Sequence, residues 1–329
     1  MPDERQYINL AEELNRLEQR GKEPHSTKVL DSWIAHIENS LQADQGGRLS
    51  WLVASTLVTA KLQQVIDEAE TSRFLLKGGS LLQHRLGGVA RATKDVNGIV
   101  RGDIDEFLVD MDRAFVDPWG SITFERSEIE VIEVPTKIIK PRRLDVSLKL
   151  KGKTWRKVTV EISPDEGGAT AAPELFSAPS LKGLGLPTPE YLVGLAMSYQ
   201  IAQKIHAASE RHEPPEFINE RARDVVDLLL LRELMEKTGE PTNVAILSAI
   251  EDIFDTRANE ARILGRQTRS WPARLHAFDH WQSDYATAAE SAGIEMSLDD
   301  AIDQLNGWLD TQITCGTKDG NYEGQIQGS

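Results

Sequence analysis

The sequence predicts an α+β fold, in which helical regions flank a β-sheet. Apolar residues recur every three or four positions in residues 1–70 and again from residue 188, which is the period of an amphipathic helix. From residue 121 to residue 162, apolar and polar residues alternate instead, which is typical of strands. We therefore predict four segments, which are an N-terminal helical region (1–70), a core (71–187), a C-terminal helical domain (188–314) and a disordered tail (315–329).

The composition excludes several classes of protein. The 329 residues suffice for a sizeable core, and the net charge of −15 disfavours nucleic acid as an obvious partner. No apolar run approaches the roughly 18 residues of a membrane span, and the polar start MPDERQYINL lacks the pattern of a secretory signal. The single cysteine, Cys315, excludes an internal disulfide and a cysteine-based zinc site. We expect a cytoplasmic protein that has no membrane partner.

Three periodic segments predict helices in the N-terminal region. Their apolar positions are Tyr7, Leu10, Leu14 and Leu17, then Val29, Trp33, Ile37 and Leu41, and a third segment runs from Trp51 to Ala69. None of these segments carries a chemically specific motif. We expect the helices to pack against the core or to close over it.

A glycine turn lies within residues 74–97, FLLKGGSLLQHRLGGVARATKDVN. A short apolar run precedes Gly78, Gly79 and Ser80, and helical spacing follows through Leu86. A strand followed by a glycine turn that opens a helix leaves backbone N–H groups at the helix N-terminus, where they attract phosphate. The pattern therefore predicts a phosphate-binding turn.

An alternating segment follows this turn. Thr93, Asp95 and Asn97 are two residues apart, so their side chains would point to one face of a strand. A carboxylate edge beside a phosphate-binding turn is what chemistry on a metal-bound nucleoside triphosphate requires. The stretch is therefore a candidate active site.

A helix and four strands are predicted after residue 98. The helix has its apolar stripe at Ile104, Phe107, Leu108 and Met111. The acids beside that stripe are interpreted as partners of the helix dipole and as a solvated face, and they are Asp103, Asp105, Asp110 and Asp112. The strands are expected at residues 122–124, 129–135, 143–150 and 155–162, with a hairpin turn at 151–153.

Basic residues concentrate between residues 137 and 157, which we call the basic segment. Its cations are Lys137, Lys140, Arg142, Arg143, Lys149, Lys151, Lys153, Arg156 and Lys157, against one acid, Asp145. Two interpretations remain open. The segment is either a solvated hairpin face or a platform for RNA.

A loop and a helix are predicted next. Residues 164–189 are rich in Gly, Pro, Ala and Ser, which indicates a loop, and Pro189 suits the first turn of a helix. The apolar stripe of that helix is expected at Leu192, Leu195, Tyr199 and Ala202. Lys204 lies largely off this stripe, as a surface lysine would.

Two further pairs in the C-terminal half have suggestive spacing. A second helix is predicted from near Asn219, where Arg223 and Asp227 would form a surface ion pair. His276 and His280 are four residues apart, but the zinc-protease pattern requires a Glu after the first His, and this chain has Ala there. We therefore favour packing over metal binding for both histidines.

Two ordered motifs resemble one branch of the DNA polymerase β-like nucleotidyltransferases. LKGGSLL followed by RATKDVN is similar to the AbiEii/AbiGii toxin branch, which includes the MenT tRNA-modifying toxins. IAQKIHA followed by RARDVVDL resembles the helical segments of the same branch. The resemblance covers roughly residues 74–231 and implies a polymerase β-like core with a mixed β-sheet.

The resemblance implies a metal site. Asp95, Asn97 and Glu161 are expected to hold one or two Mg²⁺ ions, with Glu161 as the third carboxylate and Asp145 as its alternative. Family members usually have an acid where this chain has Asn97. An amide oxygen can ligate Mg²⁺ but brings no charge, so this chain would hold the ion less strongly.

The resemblance also implies nucleotide contacts. Lys77, Gly78, Gly79 and Ser80 are expected to hold phosphate, together with Arg91 and Thr93. In the second motif, Lys204 is expected to contact the triphosphate, since a compact ammonium suits a phosphate oxygen. Asp224 is expected to orient Lys204 or to act as a base.

Three functions remain open from the sequence. The resemblance implies a phage-defence toxin that moves a nucleotide from an NTP to an RNA acceptor, the 3′ end of tRNA, and so blocks translation, with a cognate antitoxin as partner. A protein acceptor is the second possibility, and it would suit the acidic chain better. The third is a catalytically silent binding module, for which Asn97 is the main support.

Overall fold

The computed structural model describes residues 9–41, 47–87, 90, 93–171 and 173–319, with side chains up to residue 312. The chain forms two compact units. The first contains the described residues of Met1–Val134, Ile139–Asp165 and Pro173–Leu195. The second contains those of Pro135–Ile138, Glu166–Ala172 and Ala196–Ser329.

The first unit combines helices with a sheet. Its helices are α1 (Leu10–Arg16), α2 (Thr27–Ser40), α3 (Arg48–Leu62), α4 (Gly78–Arg85) and α5 (Ile104–Val116). Its strands are β1 (Phe74–Lys77), β2 (Asp95–Val100), β3 (Ile122–Arg126), β4 (Glu130–Val131), β5 (Arg142–Leu150), β6 (Lys153–Pro164), β7 (Glu174–Ser177) and β8 (Tyr191–Gly194).

The described strands form one eight-stranded sheet in the order β3-β5-β6-β2-β1-β8-β7, with β4 paired to β5. β2 runs parallel to β6 and antiparallel to β1, and β8 runs parallel to β1. The sheet is therefore mixed, and the predicted α+β class is confirmed.

The two faces of the central strands differ in polarity. Val96, Leu144 and Val160 are almost completely buried on one face. Phe74 on this face stacks on Phe107 of α5, with ring centroids 6.1 Å apart. Successive side chains of a strand alternate between faces, so the polar residues between these apolar ones share the other face.

The second unit is helical. Its helices are α6 (Met197–Ala208), α7 (Ala222–Thr238), α8 (Asn243–Ile263), α9 (Gln282–Ala292) and α10 (Leu298–Asp319). Ile201, Val226, Ile250 and Leu305 have no exposed surface and belong to its core. Across the residues that the structure describes, no helix has both the length and the apolar character needed to cross a membrane.

The third N-terminal helix is shorter than its apolar period predicted. α3 ends at Leu62, and a tight turn closed by a bridge between Ile66 and Ser72 replaces its expected last turns. The carboxylate of Asp67 accepts hydrogen bonds from the backbone N–H groups of Ala69 and Thr71. Such side-chain bonds compete with helix formation, which explains the early end.

The helix predicted from Pro189 was wrong in its position. Residues 191–194 form β8 instead, and α6 begins only at Met197. Leu192 and Leu195 are fully buried but precede this helix. A short apolar run has the same appearance in a buried strand and in a helix, so the period alone did not separate the two.

Three other boundaries differ from the predictions. The expected loop at 164–189 contains β7, which pairs with β8, and a 3-10 turn at Lys182–Leu184. β2 begins at Asp95, so Thr93 precedes the strand. α10 continues to Asp319, which is inside the segment predicted to be a disordered tail.

Candidate active site

Two rows of polar side chains cross the polar face of the sheet. Residues that are register partners on neighbouring strands project to the same side. The first row, in which each residue is the partner of the next, is Lys77, Asn97, Glu161 and Arg143. The second row is Asp95, Thr159 and Asp145. The sheet therefore brings the three predicted metal ligands to adjacent positions.

Asp95 and Glu161 form a pair of neighbouring carboxylates. Burial raises the pKa of Asp95, and the negative charge of Glu161 raises it further. Together with the amide of Asn97, the pair is a set of oxygen donors that Mg²⁺ prefers, and a cation would relieve the repulsion. Within the described residues no group of three or more His, Cys, Asp or Glu side chains is placed to hold a metal ion. The predicted set contains two acids, Asp95 and Glu161, and the amide of Asn97.

Arg143 binds Glu161, the third of the predicted metal ligands. Its Nε and Nη2 donate to Oε1 of Glu161 at 3.0 and 2.6 Å. Asp145, the alternative acid, is also engaged, because Thr159 donates to it at 2.8 Å and Lys157 at 3.0 Å. These two bonds lower the pKa of Asp145.

The glycine turn lies directly against Asn97. Gly78 has φ +65°, and a Cβ there would be 3.4 Å from Cβ of Asn97. The hydroxyl of Ser80 donates to the carbonyl of Lys77 at 3.0 Å and accepts from the backbone N–H of Asn97 at 3.2 Å. Since Ser80 has no exposed surface, its hydroxyl holds the turn onto β2.

The other predicted nucleotide contacts in this unit have different positions. Nζ of Lys77 donates to Oγ of Ser163 at 2.9 Å on the polar face. Gly79 is buried and Thr93 is half-buried. Arg91 lies outside the described residues.

Lys204 and Asp224 meet in the second unit. Nζ of Lys204 donates to Oδ1 of Asp224 at 2.7 Å and to Oδ2 of Asp227 at 2.5 Å. Lys204 is buried, which corrects its interpretation as a residue outside the apolar stripe. The predicted surface pair of Arg223 with Asp227 was also wrong, because Asp227 has no exposed surface.

A comparison with protein families identifies the family to which the chain belongs. A family model described as nucleotidyl transferase AbiEii toxin, Type IV TA system, matches residues 61–304. The chain belongs to the AbiEii nucleotidyltransferase toxin family. The resemblance inferred from the two motifs is thereby confirmed, and the AbiEii match extends beyond both of them.

A solved structure is also similar to this AbiEii family member. It is MenT4, a nucleotidyltransferase toxin from Mycobacterium tuberculosis, with 14% sequence identity and a TM-score of 0.46. The match covers 87% of this chain and 98% of that chain. The sequence matches none of the curated proteins with which it was compared.

The basic segment of this AbiEii chain is largely paired with acids. The pairs are Lys137 with Glu166 and Glu260, Arg142 with Asp105, Arg143 with Glu161, Lys149 with Glu125, Arg156 with Asp31, and Lys157 with Asp145. Lys151 and Lys153 are exposed at the hairpin turn. This pairing favours the interpretation as a solvated face over a continuous platform for RNA.

The acids near α5 have the structural roles that were expected. Asp103 caps the helix, because its side chain accepts from the backbone N–H groups of Asp105 and Glu106. Asp110 pairs with Arg73, and Asp112 pairs with Arg126. Each carboxylate is therefore explained without a metal.

The two C-terminal histidines lie among aromatic rings. Nε2 of His280 lies 2.7 Å from the carbonyl oxygen of Asn219, and its ring stacks on His212 at 4.2 Å. His276 lies near Phe278, with ring centroids 6.2 Å apart. These contacts agree with the packing role that was favoured from the sequence.

Sequence analysis did not identify two partners of the predicted site residues, which are Arg143 beside Glu161 and Asp227 beside Lys204. Arg143 was counted only as part of the basic segment, although its place opposite Glu161 follows once β5 and β6 are paired. Asp227 was assigned to the surface, although its distance of three residues from Asp224 places both on one side of α7. In each case the residue spacing was visible in the sequence, but the contact that it indicates depends on a partner that is distant in the chain.

Proposed function

We propose that this AbiEii toxin transfers a nucleotide from an NTP to an RNA acceptor, the 3′ end of tRNA, and so blocks translation. One observation carries the proposal, which is the placement of Asp95, Asn97 and Glu161 beside the glycine turn. Nucleotidyl transfer requires positioning and charge neutralisation more than covalent chemistry by the protein. The proposed acceptor rests on the motifs shared with the tRNA-modifying branch.

We propose that the polar face of the sheet holds Mg²⁺. Asp95 and Glu161 would supply charged oxygens and Asn97 a neutral one, and the ion would polarise the triphosphate. Lys77 and the backbone of Gly78 and Gly79 would hold phosphate oxygens, with Arg91 and Thr93 nearby in sequence. In this proposal Ser80 fixes the turn, because its hydroxyl is bonded within the protein.

The second motif supports a role for Lys204 and Asp224. A lysine held between two carboxylates stays charged and keeps one orientation, as a phosphate contact requires. We propose that Lys204 contacts the triphosphate and that Asp224 orients it. The family description names a toxin–antitoxin system, which supports a cognate antitoxin as partner. We propose in addition that the protein acts in the cytoplasm and in phage defence.

The test is transfer of labelled NTPs, each with Mg²⁺, onto total tRNA and total protein. The parent chain, Asn97→Asp and Asp95→Ala are compared. We expect label on tRNA, more with Asn97→Asp because it restores the charge of an acid, and none with Asp95→Ala. Label on protein alone would show that the acceptor is a protein and not RNA.

A silent binding module is the second candidate. It is favoured by the amide at Asn97, which lowers the charge available to a metal, and by the engagement of Glu161 with Arg143. If Asn97→Asp labels neither tRNA nor protein, the transferase proposal fails and this module takes its place.

A further inference from the structure

Glu161, one of the two acids of the candidate metal site, is already paired with a cation. Both hydrogen bonds from Arg143 end on Oε1 of Glu161, at 3.0 and 2.6 Å. Among the described residues no hydrogen bond reaches Oε2. The guanidinium therefore neutralises a carboxylate that a metal site would need charged and available.

A second acid lies on the other side of Arg143. Glu130 of β4 is the register partner of Arg143, just as Glu161 is its partner on β6. The hydrogen bonding of Arg143 to Glu161 and the charge of Glu161 raise the pKa of Arg143, and the charge of Glu130 raises it further. Since the Arg143 side chain is 46% exposed, it is free to move from one acid to the other without leaving a buried charge unpaired.

The charges around the candidate metal site indicate how the pairing of Arg143 with Glu161 affects cation binding. Extended to Glu130, the first row contains two carboxylates, at Glu161 and Glu130, and two cations, at Lys77 and Arg143. Asn97 contributes no charge. A divalent cation that approaches Asp95 therefore meets a row in which Arg143 already binds Glu161, the acid on the strand next to β2.

We propose that Arg143 competes with the metal ion for Glu161. Arg143 binds Glu161 in the absence of substrate and moves to Glu130 when a divalent cation binds. This inference rests on the proposed metal site and adds a residue that sets its affinity. In the free protein, metal binding is then weak. Arg143 is a positioning residue in this scheme, since it acts through Glu161.

The experiment measures Mn²⁺ affinity of the full chain without nucleotide, from the electron paramagnetic resonance signal of free Mn²⁺. We expect Arg143→Ala to lower the dissociation constant about fivefold, because an exposed ion pair of this kind contributes up to about 1 kcal/mol. In a Glu161→Gln background, we expect Arg143→Ala to leave the Mn²⁺ dissociation constant unchanged, because the carboxylate for which Arg143 and the metal compete is then absent.

Arg126→Ala is the matched control. Arg126 is also bonded by an acid through Nε and Nη2, but its register partner is Val146, on the apolar face of the sheet. Arg126→Ala removes one positive charge from the same unit, as Arg143→Ala does, but it leaves Glu161 and its partner in place. We therefore expect no change in Mn²⁺ affinity. A general electrostatic effect would instead give equal gains in both variants and would persist with Glu161→Gln.

Two results overturn different claims. If Asp95→Ala lowers Mn²⁺ affinity but Arg143→Ala does not raise it, the role of Arg143 is wrong and the metal site stands. If Asp95→Ala binds Mn²⁺ as tightly as the parent chain, the metal site itself is wrong, and the role of Arg143 falls with it.

Discussion

The ammonium of Lys204 lies 2.5 Å from the carboxylate of Asp227, a side chain with no exposed surface. Asp224 approaches the same ammonium at 2.7 Å from a slightly more exposed position. A buried lysine needs a charged partner, since an isolated buried charge is very unfavourable. Asp227 is thus the partner that keeps Lys204 charged.

The first prediction concerns this pair. Asp227→Ala removes a buried carboxylate that accepts a hydrogen bond from the Lys204 ammonium, and we expect the free energy of unfolding to fall by about 3 kcal/mol. Urea unfolding measures the change. Arg232→Ala on the same helix breaks an exposed pair with Glu236 and should cost less than about 1 kcal/mol. Equal losses in the two variants would show that Asp227 is not the essential partner.

The second prediction concerns the glycine turn. Gly78→Ala introduces a side chain at φ +65° and a Cβ in contact with Asn97, so we expect a loss of about 1 kcal/mol and weaker Mn²⁺ binding. Gly152→Ala is the control, because it has φ +76° with no neighbouring atom within 4 Å. It should lose similar stability but bind Mn²⁺ normally. Unchanged metal affinity in Gly78→Ala would contradict the expectation.

The third prediction separates two roles for Ser80. If its hydroxyl holds the turn onto β2, Ser80→Ala lowers the free energy of unfolding by about 1 to 3 kcal/mol, because the carbonyl of Lys77 and the backbone N–H of Asn97 each lose a part-buried hydrogen bond. Ser55→Ala is the control, since its hydroxyl only donates to a carbonyl of its own helix. A stable Ser80→Ala that loses nucleotide affinity would favour direct phosphate contact instead.

The fourth prediction concerns pH. Burial alone would raise the pKa of Glu166, but the ion pairs with Arg257 and Lys137 hold it well below its ordinary value of 4.5. The stability that Glu166 contributes is therefore complete above pH 4.5 and is lost as the pH falls through the lowered pKa.

Glu166→Gln tests this contribution. It should cost about 3 to 5 kcal/mol at pH 7 and progressively less in acid, as thermal unfolding at several pH values would reveal. Glu236→Gln on the surface should lower stability little and equally at each pH. A pH-independent loss in Glu166→Gln would contradict the linkage between its pKa and folding.

The local parts of the fold were predictable from the sequence. The turn at Gly78, the helix after Asp103 and the strands around residues 143–162 follow from patterns within a dozen residues. The strand at residues 191–194 was not predicted, because its apolar run resembles a helix segment and its strand character comes from pairing with β7 and, at Gly194, with β1.

The candidate site was also predictable only where its residues follow local patterns or family motifs. Asp95, Asn97 and Glu161 were chosen from alternation and family motifs, and the sheet places them side by side. The contact of Asp224 with Lys204 was expected and is present. Arg143 as the partner of Glu161 and Asp227 as the second partner of Lys204 were missed, because both contacts join elements that only tertiary structure brings together. The burial of Asp227 likewise had no local signal.

The parallel pairing of β2 with β6 has a consequence during synthesis. Parallel strands need a long crossover connection, and here α5 and three strands separate the two partners. A ribosome-bound chain that has emerged only as far as residue 152 contains the glycine turn and Asp95, but not the strand that carries Glu161. The candidate site is therefore incomplete throughout synthesis of the first 152 residues, and it forms only when β6 pairs with β2.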